Sequence, residues 1–312
     1  MHNLLRYIRM NKSKLIKVAL IVAFLIIILQ VLNYISGNKN NIEFSNESSN
    51  IQKETNGTIK SDKSAITGKK VSTNEIKAVG NVINEFVNYC NQKEIEKAYD
   101  LLSQQCKDIL YSDINYFESD YCNKIFKGET RKYTVQNWSG DTYIVKFTED
   151  LLATGKSGSN SSFTDYITIV EENNEKRINI NSLIGKKEIN KESEKDSIKI
   201  KVLNEIQYME YAIYEIEATN NNNDIIELTQ NTPSIKGIYL KDTSDTKHYS
   251  YINEIVEDDL KVQPKLTKKI KIKFDSPYIS GRKINKFCLS NITLYYSIEY
   301  RTARIVDITV NL

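Results

Sequence analysis

Apolar positions along this chain follow three different patterns in turn. The first is an almost unbroken apolar run from Leu15 to Ile35, in which Val18 to Leu29 holds no polar side chain across twelve positions. At about 1.5 Å rise per residue this run covers about 30 Å, the thickness of a bilayer's hydrocarbon region, so the pattern predicts a transmembrane helix over 15–35. Lys17 then snorkels to one interface while Tyr34 sits in the opposite headgroup layer. Arg6, Arg9, Lys12 and Lys14 precede the run, and no acidic residue occurs before Glu43. That asymmetry predicts a basic cytoplasmic tail over 1–14, a single pass through the cell membrane, and extracellular mass beyond it. A cleaved signal peptide is the rival reading, but the run exceeds a usual h-region and leads into Gln30, Asn33 and Tyr34 instead of a small-x-small site.

Residues 36–71 are rich in Asn, Ser, Lys, Glu and Gly with isolated apolar positions, which predicts a flexible tether. A helical period begins at 72. With Ser72 or Thr73 as cap, Ile76, Val79, Ile83, Phe86, Val87 and Cys90 recur every three or four residues. Ile95, Ala98, Tyr99 and Leu102 continue the period in a second helix, and Asp113 to Phe126 reads as a third helical piece. After Gly128 the period becomes two, with turns at Gly140, at 155–160 and at Asn173–Asn174. Helices followed by antiparallel strands predict an α+β domain over 72–187. The polar stretch KKEINKESEKDS then reads as a linker at 188–197, and the remaining 198–312 alternate so persistently that they predict an antiparallel β-sandwich.

The helix pair VINEFVNYCNQKEIEKAYDLLS, placed ahead of strands, resembles the NTF2-like family, a cone-shaped fold with its helices ahead of the sheet; the resemblance covers roughly residues 73–187. YAIYEIEATNNNNDIIEL followed by PKLTKKIKIKF resembles the Ig-like accessory domains of bacterial surface proteins, although the Cys-Trp-Cys signature of antibody-type domains is absent. The whole layout, with its Asn, Lys, Ile and Tyr-rich composition, is similar to membrane-anchored envelope proteins of low-GC Gram-positive bacteria. That resemblance implies a non-enzymatic extracellular binding or assembly module of an envelope, secretion or conjugation complex, with the membrane and an envelope protein as partners. An NTF2-like cone also implies a cavity, so an extracellular small-ligand sensor is one alternative and a cavity hydrolase a second.

Charge and reactive residues narrow this picture. The net charge of +3 belongs to the N-terminal segment: residues 1–36 hold five of the 43 basic residues and none of the 40 acidic ones, so the rest carries 38 against 40. A nucleic-acid partner is therefore not expected. Outside the tail the one histidine is His248, which leaves no histidine triad and no histidine-rich metal site, and no cofactor motif is present. Glu149, Asp150 and Asp165 are the acidic residues nearest the strands, without a pattern that pairs them, and GKSGSNSS from Gly155 lacks phosphate-loop spacing and reads as a hairpin turn. Cys90, Cys106 and Cys122 recur at a spacing of 16 in the helical region, where any two of them could be bridged, with Cys288 left over. Lys261, Lys265, Lys268, Lys269, Lys271 and Lys273 form a cluster in which Lys269, Lys271 and Lys273 alternate with Ile270, Ile272 and Phe274. One face of that strand enters a core, and the other reads either as a solvated edge or as a contact surface for an anionic wall polymer, lipid headgroup or acidic protein. The tyrosines at 208–214 and 295–300 are split between strand faces by parity, so a single aromatic platform is not expected.

Overall fold

A computed structural model describes residues 42–43, 57–149, 162–229, 236–251, 254–278, 280–295 and 303–312. The helical region opens with α1 (Thr73–Asn91), where the Ser72 side chain accepts from the Glu75 amide at 3.2 Å and the expected apolar stripe is buried. Helices α2 (Ile95–Asp100) and α3 (Gln104–Ile109) follow, the latter capped by Ser103, whose Oγ accepts from the Cys106 amide at 2.9 Å. Then come α4 (Ile114–Phe117), a π-helical turn at Glu118–Cys122 and α5 (Asn123–Phe126). Lys127 (φ 48°) and Gly128 (φ 73°) end this run in the left-handed region, which stops the helix and sends the chain into the sheet.

Strands β1 (Ile42–Glu43), β2 (Gly57–Ile59), β3 (Arg131–Ser139), β4 (Thr142–Glu149), β5 (Phe163–Glu172) and β6 (Glu175–Asn179) form one sheet in chain order. β3 to β6 are an antiparallel meander, and β2 adds parallel to β3. Gly57 fits there because it lies against the Tyr133 ring: a Cβ at 57 would stand 2.0 Å from Tyr133 Cζ. The helices cover the inner face, burying Ile83, Phe86, Phe117 and Tyr121 together with Tyr133, Val145, Phe147 and Ile167.

The second half is two sheets packed face to face. β7 (Leu183–Lys195), β8 (Ile198–Tyr208), β9 (Tyr211–Asn220) and β14 (Thr267–Asp275) form the first, in the order β14-β9-β8-β7. The second contains β10 (Ile226–Glu227), β11 (Ile238–Asp242), β12 (Lys247–Tyr249), β13 (Lys261–Val262), β15 (Ile284–Tyr295) and β16 (Ala303–Asn311), ordered β12-β11-β15-β10-β13 with β16 also on β15. Ile200, Val202, Tyr214, Ile216, Ile272 and Phe274 meet Leu240, Phe287, Leu289, Ile292 and Ile308 in the shared core. Two-residue turns with both φ positive join β5 to β6 (Asn173 53°, Asn174 64°) and β7 to β8 (Asp196 52°, Ser197 58°). Such turns match the twist of the strands they connect.

A bulge joins the halves. Within β8, Val202 pairs with Ile216 and Asn204 with Glu215, leaving Leu203 as an extra residue. Ahead of it Ile198, Ile200 and Val202 face the sandwich; beyond it Ile206 and Tyr208 turn to the other face and complete the helical core, with Tyr211 and Ile213 packed beside them. Tyr278 adds a polar tie, its hydroxyl donating to the Ser139 carbonyl at 2.7 Å and meeting Thr142 Oγ1 at 2.8 Å.

Several expectations are corrected. Residues 188–195 are the outer part of β7, hydrogen-bonded along β8, so the expected linker is a strand and its turn. Residues 57–71 of the expected tether are ordered through β2 and a bridge between Lys63 and Lys70. The fold is a mixed α+β arrangement of sheets with a curled half-barrel, and neither named resemblance is sustained. β1 and β2 precede the helices, against the NTF2-like order, and the helical core draws Leu183, Ile206 and Tyr208 from beyond 73–187 or its far edge. In an Ig sandwich the strand after B crosses to the opposite sheet, whereas here β7, β8 and β9 run consecutively in one sheet. The tail at 1–14 and the expected membrane helix at 15–35 lie outside the described residues, as does the turn at 155–160. Among the described residues no helix is long and apolar enough to cross a membrane, and the single-pass, membrane-anchored reading is withdrawn.

Candidate interaction surface

The six lysines singled out in the sequence divide between β13, β14 and the turn between them. On β14 the register sets Lys269 opposite Glu217 and Lys271 opposite Glu215 on the outer sheet face. Lys269 Nζ lies 3.5 Å from Glu217 Oε1, and Lys271 Nζ 3.2 Å from Glu215 Oε1. Hydrogen bonds from Asn204 and Lys271 hold the Glu215 carboxyl below its usual range against the opposing effect of burial. Lys268 pairs with Asp259 at 3.1 Å, Lys273 with Glu254 at 3.1 Å, and Lys265 donates to the Asn221 carbonyl. Lys261 opens β13, opposite Glu227 on β10. This part of the face is a ladder of alternating charge, fixed by cross-strand pairing.

At the other end of β14 the same face becomes aromatic. Tyr208 and Tyr211 stack at the β8–β9 turn with ring centroids 4.5 Å apart. Lys273 Nζ lies 4.3 Å from the Tyr211 centroid and 5.4 Å from that of Tyr251, so its ammonium sits between two ring faces. Tyr251 is fixed by its amide, which donates to the Lys273 carbonyl at 2.9 Å, and by its hydroxyl, which donates to Asp275. Two residues earlier Tyr249 meets Tyr239 edge-on at 5.8 Å, with Lys247 over Tyr239 at 4.4 Å and Lys236 over Tyr249 at 5.2 Å. Tyr249 is 42 % exposed and Tyr251 39 %, so the rings are positioned without being covered. Parity within single strands conceals this rim, because its rings come from β9, β11 and β12 and the segment after β12. Alternating Tyr and Lys in HYSY and KIKIKF is the trace it leaves in the sequence.

His248 is not an isolated strand residue. Its Nε2 lies 2.9 Å from Asp242 Oδ2 and its Nδ1 3.0 Å from Arg282 Nη1. A guanidinium only donates, so Nδ1 accepts and Nε2 carries the proton toward Asp242. The Ser244 hydroxyl, His248 and the amides of Ser244 and Thr246 all donate to Asp242, holding its carboxyl far below the ordinary range. Both imidazole nitrogens are thus engaged in fixing the β11–β12 turn to the loop before β15.

Asp165 is buried at 2 % exposure. It accepts from the Tyr121 hydroxyl at 2.7 Å and from the amides of Asn181 and Ser182 at 2.8 and 2.9 Å. Burial raises its carboxyl to about 6 in spite of those donors. Glu149 lies instead at the end of β4, 3.4 Å from Arg131, and Asp150 falls outside the described residues. The two described carboxylates do not converge. The cleft between α1 and β3, lined by Ile59, Ile76, Val79, Val135 and Tyr143 among others, encloses ≈ 200 Å³ including open solvent. This cleft is too small for a small-molecule ligand, and the extracellular sensor alternative goes with the membrane-anchored reading on which it depended. Among the described residues no group of three His, Cys, Asp or Glu side chains is placed to hold a metal ion.

No family model matches the chain. No curated protein matches it either. One solved structure is similar over part of the chain: a conserved hypothetical protein from Bacillus anthracis, at 11% identity and a TM-score of 0.25, covering 38% of this chain and 94% of that one. With no family behind them, the NTF2-like and Ig-like resemblances and the envelope-module reading drawn from them are set aside.

Proposed function

We propose that this protein is a non-enzymatic binding module that takes a protein partner on the tyrosine–lysine rim formed by Tyr211, Tyr239, Tyr249, Tyr251 and Lys273. The observation that carries the reading is the pair of exposed rings, Tyr249 and Tyr251, at 42 % and 39 % exposure and each held by strand pairing, a hydrogen bond or a lysine among the described residues. Tyrosine offers a large amphipathic contact with few torsions to freeze, which is why it concentrates at interface hot spots. The non-enzymatic part is supported by the structural roles of these groups: both nitrogens of His248 tie the β11–β12 turn to Arg282, and Asp165 is buried against the Tyr121 hydroxyl and the amides of Asn181 and Ser182, away from any other described carboxylate or histidine partner.

The test is site-specific photo-crosslinking in the cells that produce the chain, with the crosslinker at 249, at 251, or at the exposed Ile305 as control. The expected result is a discrete adduct from 249 and 251, absent from 305, and lost from 249 when Tyr251→Ala is introduced. Identical adducts from all three positions, or none from the rim, would refute the proposal.

A further inference from the structure

All four cysteines are buried, but two of them meet. Cys90, on the last turn of α1, and Cys122, at the end of the π-helical turn, are 32 residues apart in sequence with sulfurs 3.6 Å apart. The other two stand elsewhere: Cys106 in the first turn of α3, and Cys288 in β15, where the Thr309 hydroxyl points to its sulfur at 3.7 Å. The π-helical turn has a structural part in this. Its wider i to i+5 pitch changes the phase of the helical run between Phe117 and Asn123, and so sets which side of it Cys122 occupies. A disulfide holds its sulfurs about 2 Å apart, so closing the bond takes a movement of about 1.5 Å, within reach of a side-chain rotation.

We infer that Cys90 and Cys122 are a disulfide pair, closed as the chain folds in the presence of a small-molecule disulfide such as oxidised glutathione. One cysteine thiolate attacks a glutathione sulfur, releasing one glutathione thiolate and leaving a mixed disulfide. The second cysteine thiolate attacks the protein sulfur of that mixed disulfide and releases the other glutathione thiolate. Two protein thiols give up two protons and two electrons, and the glutathione disulfide takes both and leaves as two thiols. Burial holds the Cys90 thiol well above its ordinary pKa, so the attacking thiolate is available before the core closes and suppressed afterwards. The bond therefore acts as a staple set during folding, and it ties α1 to the turn that carries Tyr121 and hence to Asp165.

The test unfolds the full chain and refolds it once with oxidised and reduced glutathione and once with dithiothreitol, then quenches, alkylates under denaturing conditions and maps the peptides. The oxidised product should be lighter by about 2 Da before alkylation. It should yield a cross-linked peptide joining Cys90 to Cys122 with Cys106 and Cys288 alkylated, and it should melt higher by on the order of 10 °C. Four alkylated cysteines after oxidative refolding, or a bond through Cys106 or Cys288, overturns the assignment.

Discussion

Replacing Asp165 by asparagine should change how the protein's stability depends on pH, and the size of that change follows from the burial of one carboxyl. The folded-state pKa is raised from 3.8 to about 6, chiefly by burial. Between those two values the folded chain holds a proton that the unfolded chain has released, so stability falls as pH rises across the window. The full shift corresponds to about 3 kcal/mol, present below pH 4 and lost above pH 6. Asp165→Asn has no such titration. Above pH 6 its amide accepts through one oxygen where the carboxylate serves three donors through two, a mismatch that costs about 1–3 kcal/mol there. The variant should therefore be clearly less stable than the wild type at pH 3 and recover about 3 kcal/mol of that deficit by pH 7. Urea midpoints of both chains at pH 3, 4, 5, 6 and 7 measure the difference, in which every other carboxyl cancels. A stability difference that stays constant within about 0.5 kcal/mol across the series would show that Asp165 titrates normally and that the burial argument is wrong.

Two further outcomes test the sheet face and the join between halves. Lys269→Glu with Lys271→Glu sets glutamates opposite Glu217 and Glu215, and should cost about 1–2 kcal/mol at low salt by denaturant unfolding. Adding Glu215→Lys and Glu217→Lys should restore stability, and most of the loss should disappear in about 1 M salt, where screening reaches about 3 Å. Ile206→Asp puts a carboxyl at a position 5 % exposed in the helical core and should uncouple the halves, splitting one calorimetric unfolding transition into two. A single transition that merely moves to lower temperature would mean that the halves are joined elsewhere.

Local period made α1 legible, since six apolar residues at helical spacing bury one face wherever the helix docks. The same reasoning failed on β7, whose residues 186–195 alternate Lys, Glu, Asn and Ser around one apolar Ile189. That segment is held by backbone pairing to β8 and by the Asp196–Ser197 turn, and neither leaves a mark in hydropathy. β2 escaped for another reason: three residues are too short for a period, and their place beside β3 depends on Gly57 clearing Tyr133. Asp165 did leave a signal, because it shares inward parity with Ile167 and Ile169 on β5, but composition gives no sign of which polar residue on a core face will find its donors. The lysine cluster was visible as charge and misleading as a cationic surface, since Glu215 and Glu217 come from a strand some fifty residues earlier and only the register brings them opposite.

That register also explains why the two halves of the chain share strands where a linker was expected. In β8 the buried apolar residues 198, 200, 202, 206 and 208 all have even numbers, a pattern that in a regular strand would put every one on the sandwich side. Leu203 interrupts the alternation, so the first three enter one core and the last two enter the other. A strand that feeds two cores cannot slip by a residue without exposing both sets, so the bulge sets the relative placement of the halves as firmly as it sets the pairing. The consequence reaches the tyrosine–lysine rim. Tyr208 and Tyr211 sit at the turn just beyond the bulge, where the outer face passes from charged ladder to interdomain contact. Lys273 and Tyr251 are placed against Tyr211 by β14 pairing and by the amide of Tyr251, so the rim's geometry follows from the same displacement that joins the cores. A perturbation of the join, such as Ile206→Asp, should therefore weaken crosslinking at Tyr251 although residue 206 lies on a different strand from that ring.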